Sequence, residues 1–148
     1  MVKRSVRLQT VLDLADRNET AAREALANAQ KELNDEQLRL RQLDAYMCDY
    51  QTRIRGDGQA NISVMQYANF QGFIHQLGIA LEQQRKKLDF LRQQVDVCTQ
   101  NWRLAHEKTK GMKDYIAVCR QAEKAEMDKR EQQMLDEFSQ LRNNYHSE

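Results

Sequence analysis

Apolar side chains recur along this chain in alternating steps of four and three. From Leu8 the steps fall on Leu12, Ala15, Glu19, Ala22, Leu26, Ala29, Leu33, Glu36, Leu40, Leu43, Met47, Tyr50 and Ile54, and only the two glutamates are polar. After Gly56-Asp57-Gly58 the same stepping runs from Tyr67 through Phe70, Ile74, Leu77, Leu81, Gln84, Leu88, Leu91, Val95, Cys98, Trp102, Ala105, Thr109, Met112 and Ile116 to Cys119. Here only Gln84 and Thr109 are polar. An apolar seam every 3.5 residues, held over this many heptads, specifies a left-handed coiled coil. The pattern therefore predicts an all-α fold: a long two-helix antiparallel coiled-coil hairpin with a projecting C-terminal helix. The chain reads as a single coiled-coil domain over residues 1–148, with helix one at about 5–55, the turn at 56–62 and helix two at about 63–142. At a rise of about 1.5 Å per residue, helix one would run roughly 70 Å, which makes a rod.

The connection supports the antiparallel arrangement. Gly56, Asp57 and Gly58 tolerate positive φ and can close helix one with a C-cap. Ser63 stands three residues before Gln66, the spacing of a capping box that opens helix two. So short a link makes the helices neighbours within one chain, and one chain then supplies both halves of the seam, which predicts a monomer. Pairing positions whose numbers add to about 120 sets Trp102 opposite Ala15 to Ala22, where small rungs leave space for an indole wedge. The polar rungs Glu19, Glu36, Gln84 and Thr109 fix register at some cost in stability.

Composition narrows the function. The chain has no proline, which long uninterrupted helices require. A two-helix rod has no thick interior for a catalytic cleft, and no glycine-rich phosphate loop or nucleophile–base pair occurs, so we expect no enzyme and no cofactor. A net charge of +1 argues against a nucleic-acid binder. No apolar run reaches the ~20 residues of a membrane span, and the start of the chain lacks a signal-peptide core, so the chain reads as cytosolic and not inserted in a membrane. Cys48, Cys98 and Cys119 lack a C-x-x-C pair and read as free thiols, and no histidine has a second ligand at helical spacing. No metal site is expected.

Three regions are left over from the seam. The ladder stops at Cys119, and apolar rungs return on a shifted stripe at Met127, Met134, Phe138, Leu141 and Tyr145. In the assumed register Leu8 meets Met112, so everything past about residue 115 lacks a partner helix, and its stripe either binds another molecule or frays. Charge is segregated as well: residues 85–113 carry eight basic and three acidic side chains, and residues 123–137 carry six acidic and three basic. Such runs serve either as a solvated face or in steering toward an acidic ring. Near the turn, Tyr46, Tyr50, Tyr67, Phe70 and Phe73 exceed what one seam can bury. Tyr46 and Phe73 form either a seam edge or an exposed contact patch.

The run Tyr46-Met47-Cys48-Asp49-Tyr50, the stretch from Asn69-Phe70-Gln71-Gly72-Phe73 to Gln84-Arg85, Trp102-Arg103, and Leu135-Asp136-Glu137-Phe138 resemble FliJ, the small coiled-coil component of the bacterial flagellar type III export apparatus. The likeness covers essentially the whole length. It implies a stalk-like adaptor that inserts into and activates the hexameric flagellar export ATPase, links it to the cytoplasmic domain of the export gate membrane protein, and binds and recycles export chaperones. The implied location is cytoplasmic, peripheral at the inner membrane beneath the flagellum. Carried onto matching positions, gate binding falls on Leu43, Tyr46, Tyr50, Phe73, Leu77, Ala80 and Gln84, the last at a place where the family can carry His. ATPase binding falls on Leu8, Leu135 and Phe138. The alternative is a generic structural coiled-coil scaffold that oligomerises through its C-terminal helix.

Overall fold

The computed structural model describes residues 3–56 and 63–147. Two α-helices make up its regular structure, α1 (Arg4–Gly56) and α2 (Val64–His146), packed together as a helical hairpin. Of the turn expected at residues 56–62 with its C-cap on Gly56, Asp57 and Gly58, Gly56 is the last residue of α1 and residues 57–62 lie outside the described residues. The capping box is formed: the Gln66 amide donates to Ser63 Oγ at 3.2 Å, and the Ser63 amide donates to Gln66 Oε1 at 3.3 Å. Two donors that the first turn would leave unpaired are thus satisfied. At the other helix start, the amides of Val6 and Arg7 both reach the Lys3 carbonyl.

Contacts divide the molecule into two compact units, Ala21–Trp102 and the combination of Met1–Thr20 with Arg103–Glu148. In Ala21–Trp102 the predicted ladder is the buried stripe. Leu77, Leu81, Leu88 and Leu91 of α2 are buried, and the α1 rungs from Ala22 to Ile54 are all buried or half-buried. Tyr67 is a correction to the ladder: it is 52% exposed, and its hydroxyl accepts from Gln71 Nε2 at 3.1 Å along its own helix. It lies in the first turn of α2, where its side chain pairs along its own helix with Gln71. The seam on α2 begins at Phe70. Trp102 is half-buried.

The polar rung of this unit is a small network. Glu36, 6% exposed, receives hydrogen bonds from Gln84 Nε2 and from Lys87 Nζ at 3.2 Å, and Arg39 of its own helix adds a third at 3.2 Å. Gln84 Nε2 also donates to the Glu36 carbonyl at 3.1 Å. A carboxylate so buried is stable only when its lone pairs are used, and these partners exist in one register alone. Glu36 and Gln84 have numbers that add to 120, the register expected. The basic run of α2 meets acids on α1 here, with Arg85 at 4.0 Å from Asp44.

In the other unit Leu12, Ala15 and Ile116 form the apolar core, and four polar groups share the burial: Ser5, Glu19 and Thr109, all buried, and the half-buried Glu123. Thr109 Oγ1 donates to the carbonyls of Ala105 and Ala15, at 3.0 and 3.2 Å, and Glu19 lies 2.8 Å from His106 Nδ1. The numbers of the pairs hydrogen-bonded across the helices here add to 124 or more, so Leu8 sits near the level of Ile116 and not of Met112. The expectation that pairing ends by residue 115 is therefore corrected. The four-three stride passes Cys119 to one further rung, Glu123, and on α1 it reaches back from Leu8 to Ser5. Ser5 donates twice to Glu123, from its amide at 3.1 Å and its hydroxyl at 2.7 Å. Search by apolarity stops one rung short because the last rung on each helix is polar.

Candidate functional site

Of the gate-binding residues implied by resemblance, all seven lie in the unit Ala21–Trp102. Tyr50 is the organiser: its ring meets Phe70 edge-on at 5.7 Å and lies tilted against Phe73 at 4.5 Å. Such offset pairs contribute about 0.5 to 1.5 kcal/mol beyond area burial. Phe73 is therefore packed on one side and still 43% exposed on the other, and Tyr46, one turn before Tyr50 on α1, is 61% exposed. Leu43 and Ala80 are half-buried and Leu77 is buried. Gln84 is committed to Glu36, whose carboxyl is held below the usual glutamate value by that hydrogen bond first, then by Lys87 and Arg39, against an opposing cost of burial. The open face of this set is Tyr46 and Phe73, and Leu77 and Gln84 belong to the seam beneath it.

The three ATPase-binding residues implied by resemblance fall in the other unit. Leu8 is half-buried as a seam rung, while Leu135 and Phe138 are exposed on α2. From residue 124 to 147 every described residue is exposed, although α2 continues unbroken to His146. Beyond Glu123 the stripe steps through Met127, Glu131, Met134, Phe138, Leu141 and Tyr145. Each position lies one residue past the continuation of the main seam, so the stripe is turned by about 100° around the helix. Leu135, 62% exposed, widens it. Arg130 with Glu126 at 3.0 Å and Gln132 with Asp136 at 3.3 Å support the helix from its polar side. At Glu123 the Ser5 hydroxyl, and then the Ser5 amide, hold the carboxyl below its usual value. That carboxylate takes the Ser5 amide at the start of α1, where the helix dipole favours negative charge.

A third apolar pattern escaped the sequence reading. Phe90, Val97, Leu104 and Val118 recur at sevens along α2, with Gly111 in the intervening place, and all four side chains are more than half exposed. The signal was the seven-residue repeat immediately before the seam. Around Phe90 the unit Ala21–Trp102 has a shallow groove of about 340 Å³ lined by Ala25, Ala29, Glu32 and Leu91 among others.

The three cysteines are free thiols, and among the described residues no cluster of acidic, histidine or cysteine side chains has the makings of a metal site. Among them also, no helix is long and apolar enough to cross a membrane. What the arrangement offers is exposed apolar surface: aromatics beside the seam in one unit, and a bare amphipathic helix in the other.

Comparison of the sequence with known proteins points to one family. No solved structure matches the chain. The flagellar FliJ protein of Escherichia coli K12 is 26% identical over 136 residues, and that of Salmonella typhi 26% identical over 133, in each case across 90% of both chains. The family model for the flagellar FliJ protein matches residues 4–147, from the first residue of α1 to one past the last of α2. This chain belongs to the FliJ family of flagellar proteins.

Proposed function

We propose that this chain is an adaptor of the flagellar protein export apparatus, acting by docking and without chemistry of its own. Its curated relatives carry the name flagellar FliJ protein. In this reading residues 124–147, with Leu8 at the start of α1, engage the hexameric export ATPase and activate it, and Leu135 and Phe138 make the apolar contact. The face of Tyr46 and Phe73, held by Leu43, Tyr50, Leu77, Ala80 and Gln84, takes the cytoplasmic domain of the export gate. Export chaperones bind the same adaptor, which works at the cytoplasmic face of the inner membrane.

The observation that carries the reading is the exposed stripe past Glu123. A helix with apolar rungs at coiled-coil spacing and no partner of its own is built for helix-in-groove recognition. The test pairs two substitutions in the full chain. Phe138→Glu should abolish ATPase stimulation and leave gate binding intact. Phe73→Glu should cost about 2 kcal/mol or more of gate affinity while ATPase stimulation and helicity stay unchanged. Stimulation unaffected by Phe138→Glu, or gate binding unaffected by Phe73→Glu, refutes the corresponding half.

A further inference from the structure

The exposed stripe of α2 carries a second pattern, in its flanking charges. With Met127, Met134 and Leu141 on one row and Glu131, Phe138 and Tyr145 on the other, the positions beside the seam are Asp128, Leu135 and Arg142 on one edge. Arg130, Glu137 and Asn144 line the other. A second copy laid antiparallel sets Met127 against Tyr145, Glu131 against Leu141 and Met134 against Phe138. The first edge then brings Asp128 of each copy to Arg142 of the other, with Leu135 meeting Leu135 at the centre. On this edge the charges are opposite, and the pair occurs twice by symmetry, as in an isologous contact. A parallel pair would instead stack Glu131 on Glu131 in the seam, where like charges are unfavourable.

We propose that residues 124–147 associate antiparallel with the same segment of a second copy of this chain, Asp128 of each facing Arg142 of the other. The structure leaves this face open: all of these side chains are exposed, and the stripe is turned away from the rung that joins Glu123 to Ser5. Six rungs make a small contact beside the roughly 1,200–2,000 Å² of stable interfaces, and Glu137 meets Glu137 on the second edge, so the association is weak and reversible. It goes beyond the adaptor reading. A copy so paired has its stripe covered and is held out of any other contact through that stripe.

Sedimentation velocity of the full chain over a wide concentration range tests this with no other protein present. The expected result is a monomer that becomes a dimer as concentration rises, and Phe138→Glu should prevent it. Arg142→Asp and Asp128→Arg should each weaken dimerisation by roughly tenfold, through two lost ion pairs, and the two together should restore it. Glu137→Gln should strengthen it. With Cys48, Cys98 and Cys119 replaced by Ser, Leu135→Cys should yield a disulfide-linked dimer and Met127→Cys should not. A monomer at all concentrations overturns the proposal, as does a dimer indifferent to Phe138→Glu. Failure of the double swap to restore association, or equal cross-linking from both positions, overturns the antiparallel register. Since ATPase binding is not measured, either result leaves the adaptor reading to its own test.

Discussion

Within one unit, α2 passes from a covered half, residues 103–123, to a bare half, residues 124–146, and the bare half has the more apolar rungs. Thr109 is 2% exposed, whereas Phe138 is 69% exposed. Burial here is not awarded to the most hydrophobic side chains. It goes to whichever rungs have α1 alongside, and the polar ones among them are satisfied by specific partners: Thr109 by the Ala15 carbonyl and Glu123 by Ser5. Apolar side chains left outside such pairing are surface that another molecule can use.

The comparison can be broken most directly by truncating one residue on each side of the boundary. Ile116→Ala, at a position 2% exposed, should destabilise the hairpin by about 2 to 4 kcal/mol, read as a lowered urea midpoint. A shift under about 0.5 kcal/mol would mean that the covered half is not a packed core. Acid should act next. The carboxyls of Glu123 and Glu36 both sit below the ordinary glutamate value of 4.5, so their stabilisation is complete above that value and is lost as pH falls through the folded-state values beneath it. Thermal melts at descending pH should show the loss, and Glu123→Gln should reduce it. A pH response identical in that variant would remove Glu123 from the account.

Smaller effects sharpen the contrast. A methyl group at Gly111 meets nothing within 4 Å, and the same holds at Gly72 and Gly78. Gly111→Ala should therefore raise stability by about 1 kcal/mol, from helix propensity alone. A destabilised variant would reveal a packing role that the open space denies. Smallest of all, Leu141→Ala should leave the melting curve unchanged within about 0.5 kcal/mol, because Leu141 is already 67% exposed. Amide exchange should agree, fast through residues 124–146 and slow through 103–119.

Much of this was legible in the spacing of residues. Every rung from Leu8 to Ile54 is buried or half-buried, because a strict four-three stride can face only one way on a helix. The capping box at Ser63 was equally plain, since its chemistry lies within four residues. The ends were harder to read. Tyr67 satisfied the apolar rule yet stands exposed in the first turn of α2, and Ser5 and Glu123 failed the rule while completing the seam. The register near Thr109 was offset from the expected one for a similar reason: polar rungs set it, and the partner of a polar rung is not visible in a count of apolar ones. Of the residues proposed for docking, Tyr46 and Phe73 stand out in the sequence by aromatic surplus, as seam edge or contact patch, while the commitment of Gln84 to Glu36 needed the fold.

The hydrogen bonds between Ser5 and Glu123 join positions 118 apart in the chain. Synthesis delivers Ser5 118 residues before Glu123, so the opening turn of α1 waits for that whole stretch to be made before it is capped. Contacts near the link, such as Tyr50 with Phe70, close a short loop and form early, whereas the Ser5 pair closes the longest and forms last. A protease pulsed during synthesis should cut near Arg4 and Arg7 in every nascent chain that has not yet exposed Glu123, and protection arriving earlier would show that the start of α1 is secured by something else.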